Sequence, residues 1–142
     1  MESREPKPIV VLAALIRRGE TYLITRRRAD AGSNPSRWEF PGGKLEFGED
    51  PRDGLAREIK EETSLTVRPG EIIGYSSYVY GGTRHIILLG FLCDVADGTV
   101  AHIGIEDHRW LTPEQISAYD LTEADLPLVE LLRLRHGLNA RE

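Results

Sequence analysis

Gly43–Leu65, GKLEFGEDPRDGLAREIKEETSL, is the stretch from which the organisation of this chain can be read outward. Behind Gly48, Asp50 stands where it can cap a helix, Pro51 fits the first helical position, and Asp53 adds negative charge to the first turn. These signals predict a helix from about Pro51 to Thr63, with Leu55 and Ile59 at i and i+4 marking its core side. Glu58, Glu61 and Glu62, spaced i, i+3 and i+4, fill an adjacent arc of roughly 100°. Three glutamates on one narrow face repel one another, by roughly tenths of a kcal/mol per pair in an isolated helix. A bound cation would reverse that sign. Ahead of the helix, the paired Gly42 and Gly43 let backbone groups come close to a ligand.

On the N-terminal side, residues 1–8 read as a loose arm and Ile9–Arg17 as a buried strand, unbroken in apolar character. The tight Gly19-Glu20 link predicts a hairpin with Thr21–Arg27, and a turn-rich loop, ADAGSNPSR, then leads to Trp38, Glu39 and Phe40. On the C-terminal side, Ile72–Tyr80 and Thr83–Val95 read as a second hairpin, closed by Gly81-Gly82 in a two-residue turn. A short strand over His108–Leu111 follows, and Thr112 with Gln115 forms the pattern of a capping box. The last helix falls between Asp125 and His136, packs through Leu128, Val129, Leu131 and Leu132, and ends near Gly137. We take residues 9–142 as one domain.

Composition narrows the classes of function. With 142 residues and 40% apolar content the chain can close one core, and no second domain is expected. Its net charge of −5 lacks the basic excess that polymeric nucleic acid requires, whereas a small nucleotide is compatible with it. The single cysteine, Cys93, lies in the run HIILLGFLCDV and reads as a small buried hydrophobe. No secretion signal is apparent, and the apolar run IVVLAALI is too short to cross a bilayer, so a cytoplasmic protein that binds no membrane is expected. The four histidines, His85, His102, His108 and His136, show no metal-ligand spacing, and Asp107 reads as a solvated loop residue.

Gly43, Glu49, Arg57, Glu58, Ile59, Glu61, Glu62 and Leu65 match the Nudix box, G-x5-E-x7-R-E-U-x-E-E-x-G-U with U apolar, at every defined position but one. Ser64 stands where the family has glycine, and in a left-handed helix exit it should cost about 1 kcal/mol. Beyond the box, ITRRRAD, WEFPGGKLE, RHI and ADLPLVE resemble the MutT branch of that family. The resemblance implies a Nudix-type α/β/α sandwich around a mixed β-sheet. It also implies a hydrolase of diphosphate bonds.

The residue chemistry agrees with that implication. Mg²⁺, with Mn²⁺ as a substitute, takes oxygen ligands and keeps several waters, which suits clustered glutamates. Glu58, Glu61 and Glu62 are the expected ligands, with the Gly43 carbonyl as a fourth. Arg57 should brace them through a bidentate pair with Glu49, its alternative being an ordinary surface salt bridge. The general base is left among Glu61, Glu62 and Glu106. By resemblance, Arg27 reaches the α-phosphate or sugar and Arg84 flanks the nucleobase, although either could be merely solvated. Phe40 or Trp38 lies against the base or in the core. Asp125 stands where the MutT pattern has a base-contacting asparagine. An ionised aspartate accepts only, so it would select cytosine or guanine amines, unless it simply caps the last helix.

The resulting expectation is a Mg²⁺-dependent nucleoside triphosphate pyrophosphohydrolase for cytidine-type or oxidised guanine nucleotides, monomeric or homodimeric. The alternatives are a Nudix hydrolase of ADP-ribose or a dinucleoside polyphosphate, and a nucleotide-binding Nudix module without turnover.

Overall fold

The computed structural model describes residues 6–137; the outer parts of the N-terminal arm and of the expected domain lie outside them. In chain order the elements are β1 (Ile9–Arg18), β2 (Thr21–Arg26), β3 (Trp38–Glu39), β4 (Gly42–Lys44), α1 (Pro51–Thr63), β5 (Thr66–Tyr80), β6 (Arg84–Asp97), β7 (Asp107–Leu111), α2 (Pro113–Ile116), a 3-10 turn (Glu123–Asp125) and α3 (Leu126–Arg135). The sheet runs β3-β2-β1-β6-β5, with β4 on β1 and β7 on β2. Because β1 lies parallel to β6 while the other pairs are antiparallel, the sheet is mixed.

The unbroken apolar run of β1 is explained by cover on both faces. Leu12, Ala14 and Ile16 face Leu55 and Ile59 of α1, while Ala13 and Leu15 share a second core with Leu128, Val129 and Leu132 of α3. Successive residues of a strand point to opposite faces, so one strand serves both layers. Cys93 is buried in the α1-side core, as a small hydrophobe should be.

Where β1 meets its neighbours, the structure departs from simple hairpins. The β1–β2 pairing holds only at Arg17↔Tyr22 and Arg18↔Thr21, after which β2 leaves to pair with β3 and β7. The vacated edge of β1 is taken by β4 through Val11↔Lys44, Leu12↔Gly43 and Ala13↔Gly42. Gly42 is required there, since a Cβ would fall 1.8 Å from the Leu12 carbonyl oxygen. This docking fixes the loop ahead of α1 to the centre of the sheet.

The second hairpin is longer than expected, because β5 begins at Thr66 and passes Pro69-Gly70 through register shifts. Proline is tolerated there on the sheet's edge strand, at an irregularity in the ladder. The turn is also one residue longer than a two-residue link, for Tyr80 pairs with Arg84 across Gly81, Gly82 and Thr83.

Helix α1 follows the local signals closely. The Asp50 carboxylate accepts from Arg52 N–H at 2.9 Å, Pro51 opens the helix, and Leu55 and Ile59 are fully buried. The Thr112–Gln115 capping box on α2 is present in both directions. At the exit of α1, Ser64 adopts φ 68°, the left-handed conformation that favours glycine. Ser64→Gly is therefore expected to stabilise the protein by about 0.5–1 kcal/mol, read as a higher midpoint in urea unfolding at unchanged slope.

Candidate active site

Gly43 lies in β4 directly beneath α1, and the two elements meet through the Glu58 carboxyl. A Cβ at Gly43 would fall 2.4 Å from Glu58 Cδ, so only glycine leaves the carboxyl room against the strand backbone. Glu62, one turn further along α1, reaches the same cleft of about 450 Å³, which Arg27, Glu39, Phe40, Gly43, Lys44, Arg84 and Asp125 also line. Four separate parts of the chain thus converge beside the C-terminal half of α1.

Acid and base divide the cleft. Arg27 donates from Nη1 to Glu39 Oε2 at 3.0 Å and from Nε to the Ser33 carbonyl at 2.8 Å. Its guanidinium is thereby held within the lining. Arg84 stacks its guanidinium 5.6 Å from the Tyr80 ring centre at another wall. Asp125 is buried; its Oδ1 accepts from Phe40 N–H at 3.1 Å and its Oδ2 accepts from the Thr122 hydroxyl. The Asp125 side chain makes no capping bond to α3, so what it supports is the cleft. Phe40 is buried in the α3-side core and is also among the residues lining the cleft. Trp38 turns elsewhere, against Tyr119 and Arg109.

Arg57 makes the bidentate contact expected of it, donating from Nε to Glu49 Oε2 at 3.1 Å and from Nη2 to Oε1 at 3.2 Å. It also reaches Glu58 at 3.3 Å and Glu61 at 3.4 Å, so one guanidinium links the loop acid to two helix acids. That network holds the Arg57 guanidinium firmly protonated, chiefly through Glu49. Glu61 itself is largely exposed, on the Arg57 side of the helix, outside the residues lining the cleft. Glu106 is exposed as well, and its backbone N–H, not its side chain, is what is tied down, to the Arg26 carbonyl at 2.9 Å.

Burial dominates the electrostatics. The Glu62 carboxyl is pushed up to about 8 by desolvation first, then by the fields of Glu39 and Glu58, with Arg27 opposing. Glu58 is raised by desolvation despite Arg57, and Glu39 by desolvation despite Arg27. Asp125 is raised by desolvation and then by Glu39. An aspartate held in this way takes up a proton more readily than an exposed one, and a protonated carboxyl can donate as well as accept. Among the described residues, no hydrogen-bond donor meets the Glu62 carboxyl. A desolvated Glu62 carboxyl without a donor, with the Glu58 carboxyl one turn before it, is a donor set that fits a hard divalent cation.

Glu39 is the site residue that sequence reasoning missed. Its signal was slight: a lone acid between Trp38 and Phe40, just before Pro41-Gly42-Gly43. The Thr25↔Glu39 pairing turns it inward beside Arg27. The histidines also require correction. Loop 98–106 folds back over the end of α1, with Ala101 N–H on the Thr63 carbonyl and Gly104 N–H on that of Glu62. In doing so it brings His102 and His108 to 2.8 Å, with Asp107 beside them, although their spacing in the chain gave no such indication.

Comparison with known proteins agrees with this arrangement. The NUDIX domain model matches residues 6–132. A MutT-like protein of Streptomyces ambofaciens is 39% identical over 115 residues, covering 79% of this chain and 69% of that protein. Two proteins of Escherichia coli K12 are also similar. Its CTP pyrophosphohydrolase is 34% identical, covering 87% of this chain and 90% of its own, and its 8-oxo-dGTP diphosphatase is 30% identical, covering 89% and 98%. The MutT protein structure from Methanosarcina mazei Go1 superimposes with a TM-score of 0.82 at 26% identity, over 95% of this chain and 99% of that one. The chain belongs to the Nudix family, in its MutT-like branch, and has the family's α/β/α fold. It is a hydrolase of phosphoric anhydride bonds that acts on nucleotides.

The raised carboxyls predict how the cation-free protein responds to pH. A carboxyl whose folded pKa lies above its unfolded value adds no penalty below about pH 4, and lowers stability as pH rises toward the folded value. Glu39, Glu58, Glu62 and Asp125 all shift in this direction. In a chelator, the melting temperature should fall steadily from pH 5 to about pH 8, where Glu62 ionises. Added Mg²⁺ should restore it at pH 8 more than at pH 5, and Glu62→Gln should flatten the profile. Thermal melts with and without cation make the comparison.

Proposed function

We propose that the protein is a Mg²⁺-dependent nucleoside triphosphate pyrophosphohydrolase that cuts between the α and β phosphates, giving a nucleoside monophosphate and pyrophosphate. The observation that carries this reading is the Glu62 carboxyl, desolvated and, among the described residues, without a hydrogen-bond donor, in a cleft that Glu39 and Arg27 also line, with Glu58 one turn before it on α1. Mg²⁺, or Mn²⁺ in its place, would be held by Glu58, Glu61, Glu62 and the Gly43 carbonyl. When bound, it would neutralise phosphate charge and make water a better nucleophile.

The chain's own residues supply the remainder. Arg27, fixed by Glu39 and Ser33, presents a rigid guanidinium to an α-phosphate or sugar. Arg84 flanks the base. As the P–O bond breaks, a proton leaves the attacking water, and of the three candidate bases Glu62 is the one that faces the cleft. Arg57 and Glu49 act as positioning residues, since they hold Glu58 and Glu61 without lining the cleft.

Asp125 and Phe40 define the base end. When ionised, the Asp125 carboxylate anchored by Phe40 N–H and Thr122 accepts from an exocyclic amine, which favours cytidine-type or oxidised guanine nucleotides. The names of the two Escherichia coli relatives, one a CTP pyrophosphohydrolase and the other an 8-oxo-dGTP diphosphatase, support the same two classes.

A panel of canonical and oxidised nucleotides, nucleoside diphosphate sugars, ADP-ribose and dinucleoside polyphosphates tests the reading. The expected outcome is Mg²⁺-dependent release of pyrophosphate from a nucleoside triphosphate, with kcat reduced by about a hundredfold or more in Glu58→Gln and Glu62→Gln at unchanged fold. Turnover of ADP-ribose alone would replace the substrate class. Nucleotide binding without any turnover would leave a sensing module.

Asp125→Asn separates recognition from stability. Asparagine can still accept from Phe40 N–H but carries a fixed amide donor in place of the second oxygen. The ratio of kcat/KM between cytidine and guanosine substrates should change by about tenfold, the worth of one polar contact near 1.4 kcal/mol. A fall in melting temperature with an unchanged ranking would make Asp125 a structural residue only.

A further inference from the structure

Loop 98–106 and the start of β7 enclose a group of side chains that the Nudix chemistry does not use. His102 Nε2 lies 2.8 Å from His108 Nδ1 and 4.0 Å from Asp107 Oδ1. One ligand atom from each residue can be chosen so that all lie within 4.8 Å of one another. The imidazole planes cross at 70°, so the rings meet at their nitrogen edges and do not stack. In a tetrahedral site with metal–nitrogen bonds of about 2.0–2.1 Å, neighbouring ligand atoms are ~3.3 Å apart. The observed 2.8 and 4.0 Å straddle that spacing.

We infer that His102, Asp107 and His108 form a second cation site, selective for a nitrogen-preferring divalent ion of the zinc class and separate from the glutamate cleft. Two imidazoles and one carboxylate are a donor set for zinc-like ions, whereas Mg²⁺ prefers an all-oxygen octahedron. Arg109 Nη1 holds Asp107 Oδ2 at 2.8 Å and His108 N–H donates to Oδ1 at 2.8 Å, the outer partners that ligating carboxylates usually have, and Oδ1 keeps a second lone pair for an ion beside His102. The groups facing the site are Asp107, which favours a cation, and Arg109 and Arg18, which oppose it. Burial and these charges hold His108 neutral at lower pH than an exposed histidine, so its lone pair is available. In the metal-free pair, one ring donates its N–H to the other. Both can ligate once the donor ring moves that proton to its other nitrogen, so no net proton need be lost.

The position gives the site a consequence. His102 belongs to the loop, while Asp107 and His108 belong to the sheet, so a shared ion ties one to the other. Between them, Ile103 and Gly104 donate their N–H groups to the Glu62 carbonyl, at 3.2 and 3.0 Å. An ion at His102 therefore locks the segment that closes the C-terminal end of α1, next to the residue at the heart of the cleft.

The test uses the full chain with Mg²⁺ saturating. Zn²⁺ titrated against a chromophoric chelator should show one retained ion per chain, with affinity falling by roughly tenfold or more in His102→Ala and in His108→Gln. Co²⁺ in its place should give the intense visible absorption of a tetrahedral ion, lost in the same variants. Hydrogen exchange at Ile103 and Gly104 should slow on adding Zn²⁺ to the unaltered protein and not to His102→Ala. Three results would overturn the site: no retained Zn²⁺, Zn²⁺ fully displaced by Mg²⁺, or affinity in both variants unchanged from that of the unaltered protein. The last two would place the ion at the glutamates.

Discussion

The rest of the site depends on the contact between α1 and β4, where the Glu58 carboxyl lies against the Gly43 backbone. Leu55 and Ile59 press the helix onto the sheet, and Gly43 keeps the strand bare beneath the Glu58 carboxyl. Burial of two side chains of this size is worth roughly 3–6 kcal/mol, enough to hold acidic residues where their own charges resist. The helix is placed by hydrophobic packing, and its glutamates are carried along.

The cost of that placement is electrostatic. Glu39, Glu58, Glu62 and Asp125 are all raised by desolvation, and Arg27 offsets only part of their mutual repulsion. Such frustration is common where a protein is built to receive a ligand whose charge completes the site. Arg57 relieves part of that repulsion by joining Glu49, Glu58 and Glu61, while the Glu62 carboxyl, among the described residues, is left without a donor.

The loops around this frame show how distant segments share it. The 3-10 turn brings Asp125 to the Phe40 amide, the ADAGSNPSR loop supplies Ser33 to Arg27, and loop 98–106 caps the Glu62 end of α1. Trp38 and Phe40, two residues apart, both pack on the α3-side core, but Phe40 also lines the cleft while Trp38 lies against Tyr119. Glu39, between them, turns to the side of Arg27.

By itself the sequence determined α1 with both its caps, the arc of Glu58, Glu61 and Glu62, the reach of Arg57 to Glu49, and the left-handed exit at Ser64. These depend on residues within about one or two helical turns, where backbone periodicity converts spacing directly into geometry. The tertiary structure alone decided that β2 would leave β1, that Glu39 and Asp125 would join Glu62, that Glu106 would stay outside the cleft, and that His102 would meet His108. Those contacts follow from strand register and loop closure, which are settled by the packing of the whole sheet, and no local spacing encodes them.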